Sequence, residues 1–148
     1  MPSSNRPDPF TNGRFFVQID GVAASAFSEV SGLEVSIDVI DYRAGDSKVS
    51  SEQRLPGLSH ASNITLKRGL TLDLSLWQWF ANVLGGNVDR RDLTITLLDQ
   101  SEKPVLIWRI HKAWPCKWTG PILQANSSEV AIETLEITHE GLELASVT

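Results

Sequence analysis

The sequence is poor in the residues on which most small-protein chemistry and targeting depend. A single cysteine, Cys116, stands among 148 residues, which excludes an intramolecular disulfide framework and a multi-cysteine zinc site. The three histidines, His60, His111 and His139, each stand alone in their segments. His111 precedes Cys116 by a short interval, but a strand edge followed by Trp114-Pro115 is a poor frame for two metal ligands, and a closed site needs more donors. There is no glycine-rich phosphate loop, because Gly85-Gly86 follows a helical pattern instead of opening one. Ser31-Gly32 lacks the flanking glycines of a nucleophile elbow. The 13 basic and 18 acidic residues are scattered, for a net charge of -5. No basic stripe exists to grip a phosphate backbone, so specific nucleic-acid binding is not expected. No apolar run approaches the roughly 20 residues of a membrane span. The opening Met1-Pro2-Ser3-Ser4-Asn5-Arg6-Pro7 lacks a signal-peptide core. The chain is therefore expected to be made and folded in a cytoplasm, without stable membrane association.

What is present is alternation. Phe15, Val17 and Ile19 form the apolar side of a strand over Arg14–Asp20, and Asp20-Gly21 signals a hairpin. A weaker strand is expected over Val22–Val30. A longer one follows over Leu33–Tyr42, where Val35, Ile37 and Val39 alternate with Glu34, Ser36 and Asp38. Residues 43–62 are rich in serine, glycine and charge, with little apolar content before Leu55-Pro56-Gly57-Leu58. A structureless stretch of this length is either a surface loop or a docking loop that orders on a neighbouring subunit. Asn63–Lys67 alternates again, with Ile64 and Leu66 turned inward. Leu93–Leu98 and Val105–Ile110 make a hairpin about a turn at Asp99–Pro104. Lys112–Pro121 reads as a rigid crossing segment, since proline bars a central strand. The last strand, Glu129–His139, changes phase: Val130 and Ile132 share one face, Leu135 and Ile137 the other.

The one helix lies between Gly69 and Gly85-Gly86. Thr71 or Asp73 can cap it, and the glycines end it. Leu74, Trp77, Ala81 and Leu84 form its apolar stripe, widened by Leu76, Phe80 and Val83, while Ser75, Gln78 and Asn82 form a narrow polar side. So little polar surface predicts cover from more than one side: its own sheet, and a second subunit against Gln78 and Trp79. The whole is a mainly β chain, a β-sandwich or distorted β-barrel of about seven strands with one flanking helix. It divides into an N-terminal arm at 1–13, a single domain at 14–143 including the 43–62 docking loop, and a C-terminal tail at 144–148.

Candidate chemistry is sparse. Cys116 as a nucleophile needs a nearby base and a lowered pKa; among prolines and tryptophans it reads as a small boundary residue. The acidic residues alternate with apolar ones as on a solvated face, and paired carboxylates for glycoside chemistry are not visible in one dimension. Trp77, Trp108 and Trp114 read as core. Trp79 and Trp118 are the two that read as exposed, serving either a subunit interface or sugar stacking in a carbohydrate-binding β-sandwich. Nothing argues for an enzyme, and no cofactor is implied.

Taken in order, the segments resemble one family. Asp8-Pro9-Phe10, Phe15–Gly21, Phe27–Glu34, Leu55-Pro56-Gly57-Leu58, Ser62–Gly69, the helix from Leu76-Trp77, Asp89-Arg90-Arg91, Ala113-Trp114-Pro115 and Asn126–Glu143 are similar to the tail tube proteins of contractile phage tails and phage-tail-like contractile injection systems. The resemblance covers nearly the whole chain. It implies a barrel-like subunit that forms stacked hexameric rings, a rigid inner tube driven through a target envelope when a surrounding sheath contracts. It implies as partners further copies of the chain, the sheath protein, the baseplate or hub, tube-terminating proteins, and a cargo effector or DNA in the lumen. A tube-end or baseplate adaptor of the same system is the alternative within the class. The resemblance also implies that the loop after the third strand reaches the next ring, which suggests Asp46, Lys48, Glu52, Arg54 and Leu55 as inter-ring contacts. Arg54 fills the basic position the family carries before Leu-Pro-Gly.

Overall fold

Alternating apolar residues in short runs separated by turn residues produce nine strands and one helix among the described residues. The computed structural model describes residues 9–11, 13–22, 26–42 and 53–147. The strands are β1 (Phe15–Ile19), β2 (Glu29–Ser31), β3 (Val35–Tyr42), β4 (Gln53–Ala61), β5 (Ile64–Gly69), β6 (Arg91–Leu98), β7 (Pro104–Thr119), β8 (Ile132–Thr138) and β9 (Gly141–Ser146), with helix α1 (Ser75–Leu84) between β5 and β6. Seven strands join in one antiparallel path, β1-β6-β7-β8-β5-β2, with β9 added on β7, while β3 and β4 form a separate two-stranded ribbon. The mainly β class with one flanking helix therefore holds, with two strands more than the expected seven.

The path folds over itself because β7 serves both halves. Its first part pairs with β6 and β9, and Trp114–Thr119 pairs with β8. The bend falls at an extra residue between Ile110 and Ala113, where Lys112 takes φ 52° and its N–H donates to Asp92 Oδ1 at 3.0 Å. A second bulge follows Pro115, which pairs with Ile137. The segment expected to be barred from the sheet by proline is thus a central strand. Proline is accommodated because it adjoins a bulge, where the ladder is already interrupted.

The core lies between the two halves. Val17 and Ile19 of β1, Leu93 and Ile95 of β6, Ile110 and Ala113 of β7, Leu135 and Ile137 of β8, and Ile64 and Leu66 of β5 are buried, closed by Leu76 and Trp79 of α1. The helix begins where Asp73 Oδ1 accepts the Ser75 N–H at 3.1 Å and ends at Gly86, φ 98°. Its buried residues are Leu76 and Trp79, with Phe80 packed against the core. The core-facing stripe is therefore rotated from the expected one: Trp77, Leu74 and Leu84 lie outward. Trp77 instead lies edge-on to Trp118, with ring centroids 4.9 Å apart.

Other expectations change for physical reasons. The Asp20-Gly21 turn forms, with Gly21 at φ 77° and Val22 N–H donating to Ile19 O, but the chain does not return as a hairpin. Instead β1 pairs with β6, and among the described residues of the Val22–Val30 stretch only Glu29 and Val30 are in a strand, β2, which pairs with β5. The last strand does not change phase: Glu133, Leu135 and Ile137 all face inward. The apparent break arises because one core position holds a carboxylate. β9 carries the sheet through Ser146, into the segment expected as a tail.

That carboxylate is matched by a cation on the adjacent strand. Arg68 Nε donates to Glu133 Oε1 at 2.6 Å, with both side chains almost wholly buried. Arg68 also reaches the helix start, donating to Asp73 Oδ2 at 3.3 Å and to the Asp73 carbonyl oxygen at 3.0 Å, and lies 5.7 Å from the Phe27 ring centroid. Removing Glu133 strips the buried guanidinium of its short, buried counter-charge and leaves it facing the half-exposed Asp73 carboxylate at 3.3 Å. Glu133→Ala is expected to lower stability by about 3–5 kcal/mol in denaturant unfolding, whereas an apolar replacement of both members costs far less.

Candidate assembly surface

The β3–β4 ribbon is an antiparallel pair with no core of its own. Isolated two-stranded hairpins are marginal in water, so a ribbon of this length implies a surface to lie on. In antiparallel pairing, residues opposite one another share a face. Val35, Ile37 and Val39 lie opposite Ala61, Ser59 and Pro56; the other face carries Ile40 opposite Leu55 and Tyr42 opposite Gln53. Seven large apolar side chains of the ribbon (Val35, Ile37, Val39, Ile40, Tyr42, Leu55 and Leu58) are 45% to 74% exposed. Val35, Ile37 and Val39, expected to face the core, are instead exposed. Apolar area on this scale, contiguous and on both faces, marks an interaction surface.

The ribbon is fixed at its root. Ser62 N–H donates to Glu34 O at 3.0 Å, and Glu34 N–H to Gly32 O at 2.8 Å. Gly32 has φ 90°, and a Cβ there would collide with the Asn63 carbonyl oxygen, so only glycine allows the two chains to cross so closely. Polar pairs lie on the ribbon itself: His60 Nε2 is 2.9 Å from Asp38 Oδ2, and Arg54 Nε is 3.8 Å from Asp41 Oδ1. Both pairs are solvent-exposed and contribute little to stability. A bulge between Ile37 and Val39 places Gly57 and Leu58 opposite Asp38.

The residues singled out in the sequence distribute as follows. Arg54 and Leu55 lie on β4 of the ribbon, which takes up Gln53–Ala61 of the expected 43–62 loop; Asp46, Lys48 and Glu52 lie outside the described residues. Gln78 is exposed on α1. Trp79 is not at the surface: it is 0% exposed, its indole N–H donates to Asp89 O at 2.7 Å, and the Arg91 guanidinium sits 5.1 Å from its ring centroid. Arg91 is held there by Asp89, at 2.7 Å. Trp118 packs partly buried against the core. The pair proposed for sugar stacking is therefore dismantled. Missed in the sequence are Leu58 and the loop tip at Ile122 and Leu123, all strongly exposed. A leucine and an isoleucine beside Pro121 in a turn-rich stretch were the available signal.

The chemistry of the remaining candidates is quiet. Among the described residues no group of three or more His, Cys, Asp or Glu side chains gathers as a metal site, and no helix is long and apolar enough to cross a membrane. Burial pushes the Cys116 thiol up, and the neighbouring Glu136 adds to this through a hydrogen bond and its charge; Sγ lies 3.6 Å from Glu136 Oε2. A raised thiol is the opposite of an activated nucleophile.

Residues 11–143 match the family described as T4-like virus tail tube protein gp19. Among solved structures, a chain of the PVC extracellular contractile injection system sheath-tube complex in its extended state is 28% identical, with TM-score 0.84 over 94% of this chain and 93% of that one. A chain of the anti-feeding prophage baseplate is 26% identical, with TM-score 0.83 over 96% and 99%. A chain from the PVC sheath/tube terminator in its extended state is 28% identical, with TM-score 0.83 over 93% and 97%. No curated protein matches.

Two outcomes follow from the side-chain environments. Trp79→Ala is expected to cost about 3–5 kcal/mol of stability in denaturant unfolding, as for a fully buried tryptophan. Cys116 is expected to react with iodoacetamide more slowly than a free cysteine at neutral pH, and Glu136→Gln to speed that reaction, both read by mass spectrometry of the folded protein.

Proposed function

The chain belongs to the T4-like virus tail tube protein family and is a tube subunit of a contractile injection system; on that premise we propose that it works as a hexameric ring, stacked with others into a rigid conduit without enzymatic activity. The ribbon supplies the observation that carries this reading. A subunit that exposes seven large apolar side chains on a coreless pair of strands has a surface built for a neighbour. Repetition of one heterologous contact closes a ring and protects sheet edges that would otherwise be open.

Within this reading the relatives suggest the partners. Chains similar to this one come from a sheath-tube complex, a baseplate and a sheath/tube terminator. Their counterparts here are a sheath around the tube, a baseplate at one end and a terminator at the other. Cargo, an effector or DNA, passes through the lumen. The distal part of the ribbon and residues 43–52, with Asp46, Lys48, Glu52, Arg54 and Leu55, reach the next ring, and Gln78 faces a neighbour from α1.

Negative-stain electron microscopy of the purified protein is expected to show six-fold rings or hollow tubes; a species that stays monomeric at all concentrations would reject the ring. Ile37→Lys is expected to abolish rings while leaving subunit stability within about 0.5 kcal/mol, because the side chain is exposed in the isolated subunit. Stacking through ion pairs weakens with salt. Tubes that stay intact in high salt and in Arg54→Glu would show that those charges do not join the rings.

A further inference from the structure

Resting on the ring reading, we propose that the ribbon of one copy lies in a specific groove of the next: the open seam between β1 and β2. These two strands are the ends of the sheet path and do not pair with each other. The gap between them is a groove of about 420 Å³. Phe15, Val30, Leu33, Ile95, Leu97 and Trp108 line it with apolar surface. Here the interior of the barrel reaches solvent.

The seam has the chemistry of a strand acceptor. The hydrogen bonds of Leu98 N–H to Arg14 O and of Asp20 N–H to Asp92 O set the β1–β6 ladder. In that ladder the even-numbered residues of β1 pair with β6, so the backbone groups of Phe15 and Val17 point to the free edge. That edge can take a further strand, with main-chain hydrogen bonds giving affinity and the apolar floor receiving alternate side chains. β3 is a donor of matching pattern. Val35, Ile37 and Val39 present an apolar row at every second residue over a strand of about 26 Å, more than the length of β1.

The donor and acceptor must come from different copies. The root of the ribbon is pinned through Glu34 and Ser62, and every residue of β3 is exposed in its own chain. The ribbon therefore leads away from its own body and leaves its own seam open. Since the donating and accepting surfaces differ, the contact is heterologous and passes from copy to copy round a ring. Charge does not oppose the fit, because Glu29 at the rim of the seam is paired with Lys67 at 3.1 Å.

Cysteine cross-linking tests the contact directly. In a Cys116→Ser background, Ile37→Cys chains are mixed with Leu97→Cys chains, and separately Val39→Cys chains with Phe15→Cys chains, then oxidised and run without reductant. The doubly substituted chain, Ile37→Cys with Leu97→Cys, is expected to lose its monomer band to a ladder ending at the closed ring. The mixtures are expected to give heterodimers, and Val30→Arg, which fills the seam with charge, to lose rings without loss of folding. Rings that form with no cross-link in either pair would overturn the ribbon-in-seam contact and leave the ring reading standing. Loss of rings on deleting residues 1–8, with no ribbon cross-link, would give the seam to the N-terminal arm instead. Absence of rings from the unaltered chain would overturn both readings.

Discussion

The structure turns on a charge pair placed where charge is costly. Arg68 and Glu133 face each other across adjacent strands, in an interior built mainly from aliphatic side chains with Phe27 and Trp79. Taking both out of water costs several kcal/mol each, recovered only when geometry and further hydrogen bonds are good. The arginine's share of that recovery comes from a third element, while Glu133 Oε2 is buried with no hydrogen-bond partner among the described residues. Arg68 reaches Asp73 at the start of α1 by side chain and by carbonyl oxygen, so one guanidinium fixes β5 to β8 and ties both to the helix. A hydrophobic pair in the same places would give comparable burial without specifying where the helix begins.

This arrangement explains which parts of the architecture were legible in one dimension. Strands with one wet face, such as β1, β5 and β6, announce themselves by alternation, and the glycines at 85 and 86 mark the helix end. The buried glutamate hides the phase of β8, because a pattern of hydrophobicity cannot know that a charge has a partner 65 positions away. Trp79 and Trp77 exchange roles because both lie in an apolar run, and the choice between them is made by the Asp89 carbonyl that receives an indole N–H. Pro115 sits in a central strand because a bulge beside it removes the ladder contact that proline cannot make.

The assembly surface was legible in content and not in orientation. Val35, Ile37 and Val39 read as core from their spacing, since alternation reports that a face is covered without saying by which chain. The ribbon makes the same point for β4. Its residues carry serine, glycine, proline and charge and look like loop, yet register with β3 turns them into a strand. Family resemblance supplied what pattern alone did not, namely that the chain is a tube subunit.

The doubled role of β7 bears on how such a subunit carries load. Two sheets held only by packed side chains can slide when pushed along their plane. Here a single strand, Pro104–Thr119, belongs to both halves, so relative sliding must bend or stretch a continuous covalent backbone. A thrust delivered to one face of the barrel is passed to the other through peptide bonds as well as through hydrogen bonds. The bend at Lys112, whose N–H is tethered to Asp92, and the bulge after Pro115 are then joints in this strut.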